Sequence, residues 1–142
     1  MHCWSAACRS PATQSATEAA HVAEAYAKRR FLAVKPRVQG NVSRDSEILK
    51  AVRLAVGDSV AMMVDANEKC DLAGARQLLF LARDHKVSFV EEPLPAQALP
   101  AYRALSKHAP DAIATGEHLQ TVAVLCLTSA RDWLTSFNPI SR

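Results

Sequence analysis

Four charged residues recur along this chain at nearly regular intervals: Lys35, Asp65, Glu91 and Glu117, separated by 30, 26 and 26 residues. Each stands at or just beyond the end of a short apolar run. In folds that alternate strands with helices, the carboxyl ends of the strands are where ligand-binding groups gather. One carboxylate in such a place has an ordinary explanation, capping the next helix or facing water. Three in successive units are harder to dismiss, and three hard oxygen anions suit Mg²⁺ better than zinc. Arg37 follows Lys35 by two residues, so both project to the same side of an extended chain. A neighbouring cation lowers a lysine's pKa, whereas an arginine stays protonated and is suited to holding a carboxylate or a developing anion. His118, directly after the third carboxylate, reads either as a substrate contact or acid, or as a hydrogen-bonded structural residue.

The elements that must position these groups are punctuated where physics asks for it. Ser15-Ala16-Thr17-Glu18 is a capping box that opens a helix to about Arg30. Residues 31–35 then read as a buried strand. A second helix sets Ile48, Val52, Ala55 and Val56 on one stripe and stops at Gly57. Residues 60–65 form the next strand. Asp71 caps a third helix with Leu72, Ala75, Leu78, Leu79 and Ala82 inward, followed by a strand at 87–91. Pro100 suits the first turn of a fourth helix running to about His108. Residues 113–115 form a short fifth strand if residues 1–8 are counted as the first, and 122–127 continue as apolar helix.

Strand and helix alternating through short connections signify a parallel sheet covered by helices, because parallel neighbours need a crossover element. The fold class is therefore α/β. Neighbouring strands lie about 4.8 Å apart, so the outer members of a flat triplet are too distant to share one small ion. Curving the sheet into a barrel turns the strand ends toward a common axis, where Asp65, Glu91 and Glu117 can each offer an oxygen to Mg²⁺ at about 2.1 Å. The predicted architecture is a partial TIM-type (β/α) barrel of four to five βα units.

The segments Phe31-Leu32-Ala33-Val34-Lys35-Pro36-Arg37-Val38, Val64-Asp65-Ala66-Asn67, Phe89-Val90-Glu91-Glu92-Pro93-Leu94-Pro95 and Ala114-Thr115-Gly116-Glu117-His118 together resemble the enolase superfamily. The resemblance is to the C-terminal barrel domain of the mandelate racemase and muconate lactonizing enzyme group, and it covers residues 17 to 120. It implies a (β/α)7β barrel in which Asp65, Glu91 and Glu117 bind Mg²⁺, with Asn67 and Glu92 behind the ligands or against the substrate. It makes Lys35 and Arg37 the catalytic candidates, matching the family's Lys-x-Lys or Lys-x-Arg pair. The shared chemistry it implies is removal of the proton next to a carboxylate, with the metal stabilising the ene-diolate. Members with arginine in the second position resemble acid-sugar dehydratases, whose base is a histidine oriented by an aspartate from later strands. The expected partner is thus a small-molecule carboxylate, an acid sugar. Racemisation or epimerisation is the alternative outcome from the same intermediate, and a non-catalytic remnant is the alternative role.

Composition is that of an ordinary globular chain: 142 residues, 49% apolar and 22% charged, with a net charge of +3 that does not suggest nucleic-acid binding. Twenty-six alanines and eight aromatics imply a helix-rich protein with a core of small and aliphatic side chains. No stretch is long and apolar enough for a membrane span. Cys3, Cys8, Cys70 and Cys126 lack metal spacing and read as reduced thiols of a cytoplasmic protein. Arg30 stands where the family has glycine, and Pro36 removes a donor from a strand. Residues 1–16 are expected to be a remnant first strand and loop, 17–130 the barrel portion, and 131–142 a divergent tail. Complete family members carry a capping domain and about three further strands, so the expectation is a truncated or frame-shifted product, inactive alone. A five-strand arc leaves an unpaired edge, which makes a homo-oligomer or another partner chain a candidate to cover it.

Overall fold

The computed structural model describes residues 15–107 and 112–116. In chain order the elements are α1 (Ala16–Lys28), β1 (Ala33–Val34), α2 (Val42–Val56), β2 (Ala61–Asp65), α3 (Leu72–Asp84), β3 (Val87–Glu91), α4 (Leu99–Ser106) and β4 (Ala112–Ala114). The expected strand at 1–8 and helix at 122–127 lie outside the described residues, as do Glu117, His118 and His108.

All three helix starts with side-chain caps carry oxygens of the expected kind. Ser15 and Glu18 form the reciprocal box, with Ser15 N–H donating to Glu18 Oε2 at 2.8 Å and Glu18 N–H donating to Ser15 Oγ at 3.2 Å. Asp71 Oδ1 accepts from Gly74 N–H at 2.7 Å, and Asn41 Oδ1 accepts from Arg44 N–H at 3.1 Å. Gly57 ends α2 at φ +70°, a conformation open to glycine.

Two expectations shift at the first crossover. Helix α1 ends at Lys28 rather than Arg30, and Arg30 occupies the left-handed region at φ +63°. Phe31 belongs to that closing turn, its N–H donating to Tyr26 O at 3.2 Å. The strand expected at 31–35 is consequently only Ala33–Val34. Pro36 has no N–H to continue a ladder, and the chain rejoins the sheet one residue later through an isolated bridge between Arg37 and Asp65. In α2 the buried stripe runs through Ile48, Leu49, Val52 and Val56, with Ala55 only half-buried.

The sheet is wholly parallel, in the order β1-β2-β3-β4, each strand beside the next in sequence. That order contains no reversal, so the sheet is wound in one direction, as in a barrel wall, rather than doubly wound about a switch point. The helices follow the same order, α1 against α2, α2 against α3 and α3 against α4. Val34, Met62, Val64, Val87, Val90 and Ile113 pack into one core with the inner faces of these helices. Met63 and Asp65 alternate with Met62 and Val64 and therefore point to the opposite face.

At the amino-terminal pole of the strands a single side chain binds three segments. Arg53 Nε donates to His85 O at 3.0 Å, Nη1 to Gly57 O and Val60 O at 2.8 Å each, and Nη2 to Lys86 O at 3.0 Å. Replacing Arg53 with Met is expected to lower the urea-unfolding free energy by about 2–4 kcal/mol, since water reaches some of these carbonyls once the guanidinium is gone. Arg53→Lys should recover little of the loss, because an ammonium cannot reproduce the planar fork.

Candidate metal and anion site

At the opposite pole the strand register sets the carboxylates side by side. Asp65 pairs with Glu91, Glu91 pairs with Ala114, and Arg37 pairs with Asp65. Four of the candidate residues therefore converge. Lys35 Nζ ion-pairs with Glu91 Oε2, reaching past β2 to do so. Arg37 Nε and Nη2 donate to Asp65 Oδ2 at 3.1 and 2.8 Å. All four side chains are largely enclosed, between 12% and 19% accessible.

Main-chain bonds hold this row in place beyond the ends of the strands. Val38 N–H donates to Asp65 O and Asp65 N–H to Pro36 O, both at 3.0 Å. The ladder then continues through the loops: Ala66 N–H to Glu91 O at 2.9 Å, Glu68 N–H to Glu92 O at 2.7 Å, and Cys70 N–H to Pro93 O at 3.1 Å. Glu92 N–H donates to Ala114 O at 2.8 Å, tying in β4. Asn67, Glu68 and Glu92 all have positive φ, at 44°, 61° and 43°, so the chain turns sharply directly after each carboxylate. Asn67 uses its backbone N–H, 3.0 Å from Asp65 Oδ1, to orient that carboxylate. Glu92 is itself buried, at 1% accessibility.

Three side chains that the periodicity did not single out shape the site from behind. Asp45 lies on the apolar stripe of α2, and its carboxylate accepts from the N–H of Gln39 at 2.9 Å and from the N–H groups of Gly40 and Asn41. It thereby anchors the segment that directly follows Arg37. Gly40 has φ +77°, and a Cβ there would lie 2.6 Å from Lys69 O, so this segment packs tightly on the loop after Asp65. Glu68 Oε1 accepts from Ala96 N–H at 2.5 Å, bridging the loops after β2 and β3. Tyr102 donates its hydroxyl to Leu94 O at 2.6 Å and lies 3.5 Å from Thr115 Oγ1, joining the loop after Glu91 to the end of β4. Burial pushes the Tyr102 phenol up to about 12, so it serves as a neutral donor. Asp45 was visible in principle, as an acid at the i−3 and i−4 positions of Ile48 and Leu49; Glu68 acts through Ala96, 28 residues away, and Tyr102 through irregular backbone and a loop threonine that carry no periodic signal.

Asp65 and Glu91 provide hard oxygen donors on adjacent strands, a set that fits a divalent cation of the Mg²⁺ type. Among the described residues no group of three or more His, Cys, Asp or Glu gathers as a metal cluster. Glu117 lies three residues beyond Ala114, the residue in register with Glu91. Cys70 is a buried free thiol whose pKa burial raises to about 11, so it is no nucleophile at neutral pH.

A family profile described as enolase C-terminal domain-like matches residues 17–131. L-talarate/galactarate dehydratase of Salmonella typhimurium is 36% identical over 81 residues, covering 57% of this chain and 20% of that protein. D-Ala-D/L-Ala epimerase of Cytophaga hutchinsonii is 32% identical over 80 residues, 56% of this chain and 21% of that protein. A solved enolase-superfamily member from Polaromonas sp. JS666 superposes with a TM-score of 0.83 at 27% identity, over 89% of this chain and 34% of the other. The chain thus spans about a fifth of the curated relatives and a third of the structural one.

Burial drives the Asp45 carboxyl above its ordinary value, against the opposing effect of the Gln39, Gly40 and Asn41 N–H groups and Arg44. A carboxyl raised in the folded state favours folding most when protonated, so its contribution is full below the unfolded pKa of about 3.9 and is lost as pH rises through the folded value. Urea unfolding of wild type and Asp45→Asn should therefore show the stability difference moving in the variant's favour as pH rises from about 4 to 6. A difference independent of pH would contradict the assigned direction.

Proposed function

Since the chain belongs to the enolase C-terminal domain-like family, we propose that it carries part of the active site of a Mg²⁺-dependent enzyme that removes the proton next to a carboxylate, an acid-sugar dehydratase. The observation that carries this reading is the cluster of Lys35, Arg37, Asp65 and Glu91 at the carboxyl ends of successive strands. Residues 17–130 are the portion assigned to the barrel.

Asp65 and Glu91, with Glu117, would hold the metal. When bound, it supplies the positive charge that lets a weak carbon acid ionise toward an ene-diolate. Lys35 and Arg37 bind and orient the substrate carboxylate by charge-assisted hydrogen bonds. The loop ladder, with the Glu92 N–H bonded to Ala114 O, keeps the carboxylates from drifting apart. In dehydration a base takes the proton from the carbon next to the carboxylate, the electron pair left behind forms the new double bond, and the β-hydroxyl, protonated by an acid, departs as water. The resulting enol ketonises to a 2-keto-3-deoxy acid. Arg37 does not accept the carbon-bound proton, because a guanidinium stays protonated. The base of such dehydratases is a histidine from later barrel strands, and the 142-residue chain by itself is expected to turn over little.

Epimerisation is the second reading, favoured by the match to the Cytophaga epimerase. It would follow from reprotonation of the same intermediate instead of loss of hydroxide.

Calorimetric titration of Mg²⁺ is expected to give saturable heat that Asp65→Asn and Glu91→Gln each weaken by about tenfold or more. Unchanged affinity in both variants would remove these carboxylates from the metal site. A panel of aldonic and aldaric acids with Mg²⁺, assayed for 2-keto acid, should stay near background. Robust elimination by the isolated chain would refute its expected incompetence.

A further inference from the structure

The corner between α1 and β1 lies at the amino-terminal pole of the strands, away from the carboxylates. Lys28, Arg29 and Arg30 follow one another there, all exposed. Lys28 pairs with Glu24 at 2.8 Å, whereas neither guanidinium makes an ion pair or a side-chain hydrogen bond among the described residues. Cations at a helix end are common, because they complement its dipole. Arg30 is not explained in that way. It sits at φ +63°, a conformation that glycine takes without cost and an arginine does not. The other non-glycine left-handed residue at this pole, Lys86, is held by its ammonium on Asp58 at 2.6 Å and by its carbonyl on Arg53 at 3.0 Å. Strain kept at an exposed side chain with no internal partner points to a role in binding.

The groups beside Arg30 are set to receive a ligand. The Arg29 guanidinium lies 5.8 Å from the ring centroid of Tyr26 and 5.5 Å from that of Phe31, and the two rings meet edge to face at 5.0 Å. Backed by two rings, it has little freedom left to lose when a carboxylate takes its N–H groups. Leu32 is 81% accessible, the most exposed large apolar side chain among the described residues. Its backbone is fixed all the same, since its carbonyl accepts from Ala61 N–H at 2.9 Å.

We propose that this corner docks an acidic segment of a partner protein, whose carboxylates pair with Arg29 and Arg30 and whose apolar side chain covers Leu32. Charge complementarity selects that partner. Recognition of a lipid surface takes a cluster of about four to eight cations, and a nucleic-acid backbone needs a row of cations along it. Two guanidiniums beside one leucine match a single short peptide instead. The proposal is independent of the metal reading above.

The test uses the full chain and, as probe, a fluorescein-labelled peptide of glutamates around a central leucine, read by fluorescence polarisation. Saturable binding is expected, weakening severalfold as ionic strength rises from about 0.05 to 0.3 M. Arg29→Gln and Leu32→Ser should each weaken it about fivefold or more. Arg30→Gly should weaken it likewise while its urea-unfolding midpoint holds or rises, because glycine makes the left-handed turn without strain. A midpoint that falls with binding unchanged would make Arg30 a structural residue and overturn its assigned role. Binding that survives all three substitutions, equal binding of the same peptide with glutamines for glutamates, or no binding at all overturns the proposal. Tighter binding of phosphatidylglycerol vesicles or oligothymidylate through the same side chains also overturns it, as does self-association in sedimentation that Leu32→Ser abolishes. These outcomes would give the corner to a lipid surface, a nucleic acid or a second copy of the chain. The salt series and the glutamine peptide need no variant, so a substituted chain that failed to fold would not shelter the proposal.

Discussion

Asp65 and Glu91 stand in register on adjacent parallel strands, which places two anions about 4.8 Å apart at backbone level. Like charges so close and so little hydrated repel, and the fold must answer that repulsion. Its answer comes from the stretch after β1. Lys35 crosses to Glu91 while Arg37 stays with Asp65, so the row carries no net charge. The interrupted first strand serves this end. A chain that leaves the ladder at Pro36 and returns at Arg37 can send two side chains to two different strands.

The rigidity of the row comes from main-chain bonds that outlast the strands themselves. Ala66, Glu68 and Cys70 donate in turn to the carbonyls of Glu91, Glu92 and Pro93, so the loops after β2 and β3 remain laddered where loops usually part. Positive φ at Asn67, Glu68 and Glu92 costs backbone strain of order 1–3 kcal/mol per residue. The ladder and the buried contacts of Tyr102 and Asp45 offset that strain. Strain gathered directly behind candidate ligands is what a site held in a fixed geometry requires.

Much of this was legible in local chemistry. The cap at Asp71 and the glycine stop at Gly57 fell where expected, and the strand Val87–Glu91 coincides with its sequence signal. Those features are written in neighbouring residues. The charged residues closing successive strands were legible as a periodic pattern, and the parallel register makes neighbours of two of them, Asp65 and Glu91. The first strand was overestimated because Phe31 and Leu32 are apolar enough to read as strand, while the left-handed Arg30 gives Phe31 to the preceding helix turn. The fork of Arg53 and the bridge of Glu68 carry no periodic signal at all. Two of the fork's four acceptors, His85 O and Lys86 O, and the Ala96 amide that Glu68 accepts from lie about 30 residues away, where only tertiary structure brings them near.

The position of the Arg53 fork bears on how such a protein can change. Its four bonds lie at the pole opposite the carboxylates and touch only backbone oxygens, so they are indifferent to which side chains those segments carry. The bonds that hold the scaffold and the candidate site thereby lie at separate ends of the same strands. Side chains in the loops around the carboxylates can therefore change while one guanidinium holds the backbone at the other end.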